Sequence, residues 1–289
     1  MKKNKLLLMV LAFLLLIPIP AYADVAAGDM IITLGENLTE EQKQLLLTEM
    51  KAPENAEIIT VSNQEEHQYL GNYISKSLIG TRAISSSAIT IGDKGTGIQV
   101  TTKNINWVTD EMYINALITA GVKDAKIYIT APIEVSGTAA LTGIIKAYEV
   151  STDTVIPEDV KQAANEEMVE TANLGEDIGQ EEEATALMAK IKEQIAEQKP
   201  KTVEEVQTIV QDSAKELNIT LTEEQLQSLI SFFNKLKELN IDWNQVGNQL
   251  NEAKDKLTGY LDSEEGQGFL AKIKEVFASI VDAIKSFFS

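Results

Sequence analysis

Nucleophilic and metal chemistry most often begins with histidine or cysteine, and this chain has one histidine and no cysteine. His67 therefore rules out a histidine-based metal cluster, and no thiol can take its place. A Ser-His-acid triad would have to use His67, which lies in the acidic helical stretch Glu65-Glu66-His67. No G-x-S-x-G elbow accompanies it, so a surface histidine is the plainer account and the usual nucleophilic hydrolases are disfavoured. Ser136-Gly137-Thr138 offers different chemistry. It follows a predicted strand and opens a predicted helix, so its backbone N–H groups could cradle a phosphate or carboxylate. It lacks the lysine and the spacing of a P-loop and is not G-x-G-x-x-G; an ordinary N-cap, with glycine in a tight turn, uses the same residues. Arg82 is the only arginine. Arginine suits bidentate recognition of carboxylate or phosphate, and a surface ion pair is its simpler use. Should Arg82 meet Ser136 and Thr138 in space, an anion site becomes credible. The expected ligand contacts are thus Arg82, Ser136, Gly137 and Thr138, with no catalytic residue, metal ligand or cofactor.

Two further groups carry weaker signals. Glu176, Asp177, Glu181, Glu182 and Glu183 could attract calcium, yet they match no EF-hand spacing and read as a solvated charge run. Paired carboxylates for glycoside hydrolysis need only be close in space, but aromatic residues make up 6% of the chain and form no cluster for a sugar platform. Near the C-terminus, Phe269, Ile273, Val276, Phe277, Ile280, Val281, Ile284, Phe287 and Phe288 share a broad helical face. Such a helix could lie in a membrane interface. Packing into a helical bundle is the preferred reading, because the other helices also need partners.

The elements that must position these residues follow from periodicity and caps. Met30 to Leu34 and Glu57 to Ser62 read as strands, separated by a helix from about Glu40 to Lys51 behind a Thr39/Gln42 capping box. Glu65 to Tyr73 is a short helix candidate. Ile89 and Ile91, then Ile98 and Val100, alternate with polar residues around Gly92-Asp93-Lys94-Gly95, which predicts a β-hairpin. Thr109 caps a helix through Met112, Tyr113, Ala116 and Leu117, with Gly121 placed to terminate it. Ala125 to Thr130 is a strand, and Ser136 is the expected cap of the helix through Leu141 and Ile145. The fold class is therefore α+β: a small antiparallel or mixed sheet with packed helices, followed by an all-α C-terminal region. Helices are expected at about 181–198, 203–217, 223–239 and 243–260, with a last one from about Glu264, and Asn173 to Gly179 as a flexible connection.

Length and composition frame this picture. Lys2, Lys3 and Lys5 precede the apolar run Leu6 to Ile17, and Pro18 and Pro20 precede Ala21-Tyr22-Ala23, an A-x-A cleavage pattern. Residues 1–23 are expected to be a signal peptide, residues 24–150 an α+β domain and residues 151–289 an acidic helical domain. The formal charge is −19, and loss of three leader lysines makes it −22. That excludes nucleic-acid backbones as partners and disfavours docking on anionic lipid. Without cysteine there is neither a disulfide framework nor a lipidated thiol, so the core alone must hold the fold.

The block SSAITIGDKGTGIQVTT, with VTDEMYINALITAGVKDAKIYITAPIEVSGTAALTGIIKAYE after it, spans Ser86 to Glu149 and resembles the YpuA-like exported proteins of Gram-positive bacteria. The likeness covers the whole mature chain and is sharpest around Ala131-Pro132 and from Ser136 to Gly143. It implies an extracytoplasmic protein of the cell envelope, and it supplies no catalytic residue, cofactor or ligand. The expected function is a secreted, non-enzymatic module that binds a wall component, an envelope protein or another copy of itself. The alternatives are a histidine-independent hydrolase using carboxylates or a Ser136/Thr138 site, and membrane-surface attachment through the final helix.

Overall fold

The computed structural model describes residue 28 and residues 30–74 and 76–262. Five strands form one mixed sheet: β1 (Met30–Gly35), β2 (Glu57–Val61), β3 (Ser86–Ile91), β4 (Ile98–Ile105) and β5 (Ala125–Val135), in the order β2-β1-β3-β5-β4. Helix α1 (Glu40–Glu49) crosses between β1 and the parallel β2. Helix α4 (Asp110–Thr119) does the same between β4 and the parallel β5. Each edge of the sheet is thus a β-α-β unit, and the centre is antiparallel, with β3 paired to β1 and β5.

Both faces of the sheet are covered. Ile31, Ile89, Ile127 and Ile129 point to one core, where Met112 and Leu117 of α4 pack with Leu141, Ile144 and Ile145 of α5 (Thr138–Thr152). Ile32, Leu34 and Ala88 point the other way, onto Leu38, Leu46 of α1 and Met50 at that helix's C-cap. Two covered faces explain why β1 reads as a nearly continuous apolar run.

The predicted hairpin does not form. The two strands run antiparallel, but β5 lies between them and pairs with both. The reason is a contact made across the fold. Asp124, at the entrance of β5, accepts the backbone N–H groups of Gly95 and Gly97 on Oδ1 at 2.9 and 2.8 Å. Its carbonyl accepts Gly92 N–H at 2.6 Å. The glycine-rich segment wraps round Asp124 instead of closing on itself. β4, whose residues alternate between half-buried and exposed, suits an edge; β5, with Ile127 and Ile129 buried, suits the interior.

The helical half comprises α6 (Glu158–Ile178), α7 (Glu181–Gln198), α8 (Val203–Glu216), α9 (Glu223–Glu238) and α10 (Trp243–Asp262). The capping boxes at Thr39, Thr202 and Thr222 are all present. The connection expected at Asn173 to Gly179 is instead the last turns of α6, which ends at Gly179 in the left-handed region (φ 71°). Helix formation continues through Gly175 because α6 is packed on both sides. Val160, Ala164 and Met168 belong to the sheet core, while Ala163 and Leu174 join the second core with Leu187, Val210 and Phe233. Among the described residues no helix is long and apolar enough to cross a membrane.

Candidate functional site

A cleft of about 320 Å³ opens where the C-terminal end of β5 passes into α5. Two short helices complete its surroundings: α2 (Asn63–Leu70) and α3 (Lys76–Ile79). Arg82, Ser136, Gly137 and Thr138 all line this cleft, together with Ser85 and Glu66. The chain thus brings its single arginine to the start of α5, fifty-four residues downstream of it at Ser136. Gly137 and Thr138 are buried, Ser136 is half-buried, and Arg82 is exposed at the rim.

The backbone of each wall is held in place. On the arginine side, the Gly80 carbonyl lies 3.1 Å from His67 Nε2 and 3.5 Å from Asn63 Nδ2, both on α2. The Ala83 N–H donates to Asn37 Oδ1 at 2.8 Å, and the Ala83 carbonyl accepts Asn37 N–H at 3.0 Å. His67 is therefore half-buried and structural in its contact, with its ring tied to the loop that carries Arg82. On the helix side, Val108 N–H donates to the Ser136 carbonyl at 3.2 Å. The fully buried Tyr113 donates its phenol O–H to the Gly137 carbonyl at 2.6 Å. Burial pushes the Tyr113 phenol upward, so it stays a neutral donor.

Gly137 is the N-cap of α5, in place of Ser136, the expected cap. Its φ of 93° is open to glycine and rare for other residues. A Cβ there would also sit 2.5 Å from Ile105 Cγ2 and from Tyr113 Oη. No side chain caps the helix, and its first turn holds no acid. Ser136 and Thr138 place their hydroxyl oxygens 3.4 Å apart beside it. Among the described helices of eight residues or more, α5 alone starts with neither a capping side chain nor an acid. Ala140 N–H donates back to the Gly137 carbonyl at 3.1 Å, and no capping side chain or acid offsets the positive partial charge of this end.

Glu66 is the residue that sequence reading passed over. It is 1% exposed and lines the cleft. Its carboxyl is pushed up to about 7 by burial, against a lowering hydrogen bond from Asn63. A signal was available: Glu66 lies four residues before the buried Leu70, on the inward face of α2. A run of acids next to a histidine hid it.

The remaining expected groups lie apart. Glu176 accepts the Trp107 indole N–H at 2.7 Å, and Asp177 Oδ2 lies 3.4 Å from Gln225 Nε2. Both are spent on tethering α6 to its surroundings. The signal segment 1–23 and the apolar face Phe269, Ile273, Val276, Phe277, Ile280, Ile284, Phe287 and Phe288 lie outside the described residues.

Residues 34–253 match the family described as "Protein of unknown function (DUF1002)". Across 276 residues, 95% of each chain, the sequence is 56% identical to "Uncharacterized protein YpuA" of Bacillus subtilis (strain 168). No solved structure matches. The family match runs as one stretch from the end of β1 through the other four strands, the cleft and the helices into α10, and at that extent the chain belongs to the DUF1002 family of proteins of unknown function.

Proposed function

We propose that this is an exported, envelope-associated binding module, with no enzymatic role, whose cleft holds one carboxylate or phosphate group. The observation that carries this reading is the meeting of Arg82 with the uncapped start of α5 across a single cleft. A guanidinium offers a planar fork of donors to an oxyanion. A helix start offers backbone N–H groups and a favourable dipole to the same charge. The overall charge of −19 narrows the ligand: a long polyanion meets repulsion over most of the surface, so a compact anion or a chain terminus fits better. A wall component or another protein that presents a single such group is the natural partner. The hydrolase alternative asks for a second acid facing the first, and Glu66 is the one acid among the described residues lining the cleft.

The test is an NMR titration of residues 24–289 with acetate and, separately, with dimethyl phosphate. Saturable shifts around Arg82 and Thr138 are expected. Arg82→Ala should weaken binding on the order of ten- to hundredfold, the worth of a charge-assisted pair. If neither anion moves those resonances, the binding reading fails.

A further inference from the structure

The cleft has a third wall that the anion reading does not use. Glu66 is turned into it from α2, on a side chain that is almost wholly buried. Its Oε2 accepts Asn63 Nδ2 at 2.6 Å, while no described residue hydrogen-bonds Oε1. A carboxyl so nearly buried has little water around it, and the cleft it lines is where a further hydrogen-bond partner can reach it. No cation among the described residues does so. On its own helix, Glu65 is turned to Lys146 of α5 at 2.6 Å and His67 to the Gly80 carbonyl. Tyr69 is turned to Glu158 of α6, Lys76 of α3 is exposed, and Arg82 stands at the rim. Burial raises the carboxyl's pKa and the Asn63 bond works against it.

An ionised carboxylate in this position would repel the anion that Arg82 and the helix start attract. A neutral one would donate to it. Resting on the anion reading above, we propose that Glu66 is a ligand contact of the cleft, meeting the oxyanion as a neutral carboxylic acid that donates a hydrogen bond from Oε1, so that the anion enters together with a proton. The ligand class is an oxyanion with a lone pair to spare beyond the bonds from Arg82 and the backbone, a requirement that carboxylates and phosphate esters both meet. The coupling follows from linkage: a group that must be protonated in the complex, and that titrates near neutrality in the free cleft, makes binding depend on pH.

The experiment repeats the titrations with acetate and with dimethyl phosphate, neither of which changes charge between pH 6 and pH 8. For the wild-type chain, affinity at pH 8 should be about tenfold weaker than at pH 6, as expected when only the protonated form of a group with midpoint about 7 binds. Glu66→Gln should bind equally at both values. To separate protonation from any change of packing in that variant, the Glu66 carboxyl carbon is also followed by 13C NMR in the unmodified chain. Its midpoint should move upward on saturation with the anion. Preference for one probe over the other assigns the group as carboxylate or phosphate. Wild-type affinity that is the same at pH 6 and pH 8, or a Glu66 midpoint unmoved by ligand, overturns the Glu66 proposal and leaves the Arg82 site standing. Absence of binding by both anions at every pH overturns both.

Discussion

At the scale of single residues, Gly137 and Glu66 decide what the cleft is. Gly137 combines a positive φ with two contacts that leave no room for a Cβ. The left-handed conformation alone costs an alanine about 1–2 kcal/mol, and the clashes with Ile105 and Tyr113 add to it. Gly137→Ala is expected to lower stability by at least about 2 kcal/mol in urea unfolding, and to displace the start of α5. A loss below about 0.5 kcal/mol would show that the turn can relax. Glu66 also bears on stability. Its folded-state value of about 7 lies above the ordinary 4.5. The fold therefore favours the protonated form, so the benefit is complete below about pH 4.5 and is lost as pH rises through about 7. Glu66→Gln should be up to about 3 kcal/mol more stable than wild type at pH 8 and indistinguishable from it near pH 4.5. Equal stabilities at pH 8 would mean that burial does not tax the ionised form. Arg82 and Ser136-Gly137-Thr138 were legible because a lone arginine and a strand-to-helix glycine are rare local signs. Their meeting was not, since no local rule brings residues so distant in the chain to one cleft.

At the scale of elements, the join between sheet and helices rests on a buried polar cluster. Lys192 of α7 and Glu167 of α6 form an ion pair at 2.6 Å with neither side chain exposed. Lys192 Nζ also donates to the Asn115 carbonyl at 2.8 Å and lies 3.2 Å from Thr119 Oγ1, both on α4. Thr119 donates to Glu167 Oε2 at 2.5 Å, and Asn115 Nδ2 donates to the Thr185 carbonyl of α7 at 3.0 Å. Burial pulls the Lys192 ammonium downward, and the Glu167 charge opposes that. Three helices are thereby held in one register by groups that have no alternative partner in the interior. Lys192→Met should cost about 3–5 kcal/mol, because it strands Glu167 without a counter-charge. Pairing it with Glu167→Leu should recover much of that loss, leaving mainly the unmatched hydroxyl of Thr119. Urea midpoints of the two single variants and the double variant give the answer; additive losses would show that the pair does not act as a unit. The helices themselves were legible, since capping boxes and apolar spacing are local. The lysine and the glutamate were not, because on a helix they look like ordinary surface charges.

At the scale of the whole molecule, two cores meet on α6. Val160, Ala164, Met168, Val169 and Ala172 complete the core beneath the sheet, and Ala163 and Leu174 begin the helical one. The composition change near residue 150 suggests a domain boundary there, and this sharing makes the suggestion testable. A fragment of residues 24–150 would expose the sheet-side apolar surface that α6 covers, at roughly 25 cal/mol for each Å². It is expected to show no cooperative thermal transition and poor near-ultraviolet circular dichroism, whereas residues 24–289 should melt cooperatively with a well-defined near-ultraviolet signal. A well-folded fragment would make the sheet an independent domain.

What the sequence determined by itself was whatever depends on neighbours along the chain: strand and helix positions, caps, the α+β class, acidity, the absence of cysteine and the family likeness. The tertiary structure decided the rest. The glycine-rich segment predicted to close a hairpin is held instead by Asp124, and β5 enters between β3 and β4. Pairing order is settled by which strands are buried on both sides, and alternation within one strand carries no information about its neighbour. The cleft has the same origin. Arg82, Glu66 and the start of α5 line one cleft only because β3 and β5 are hydrogen-bonded side by side, bringing the loop before one strand against the helix after the other.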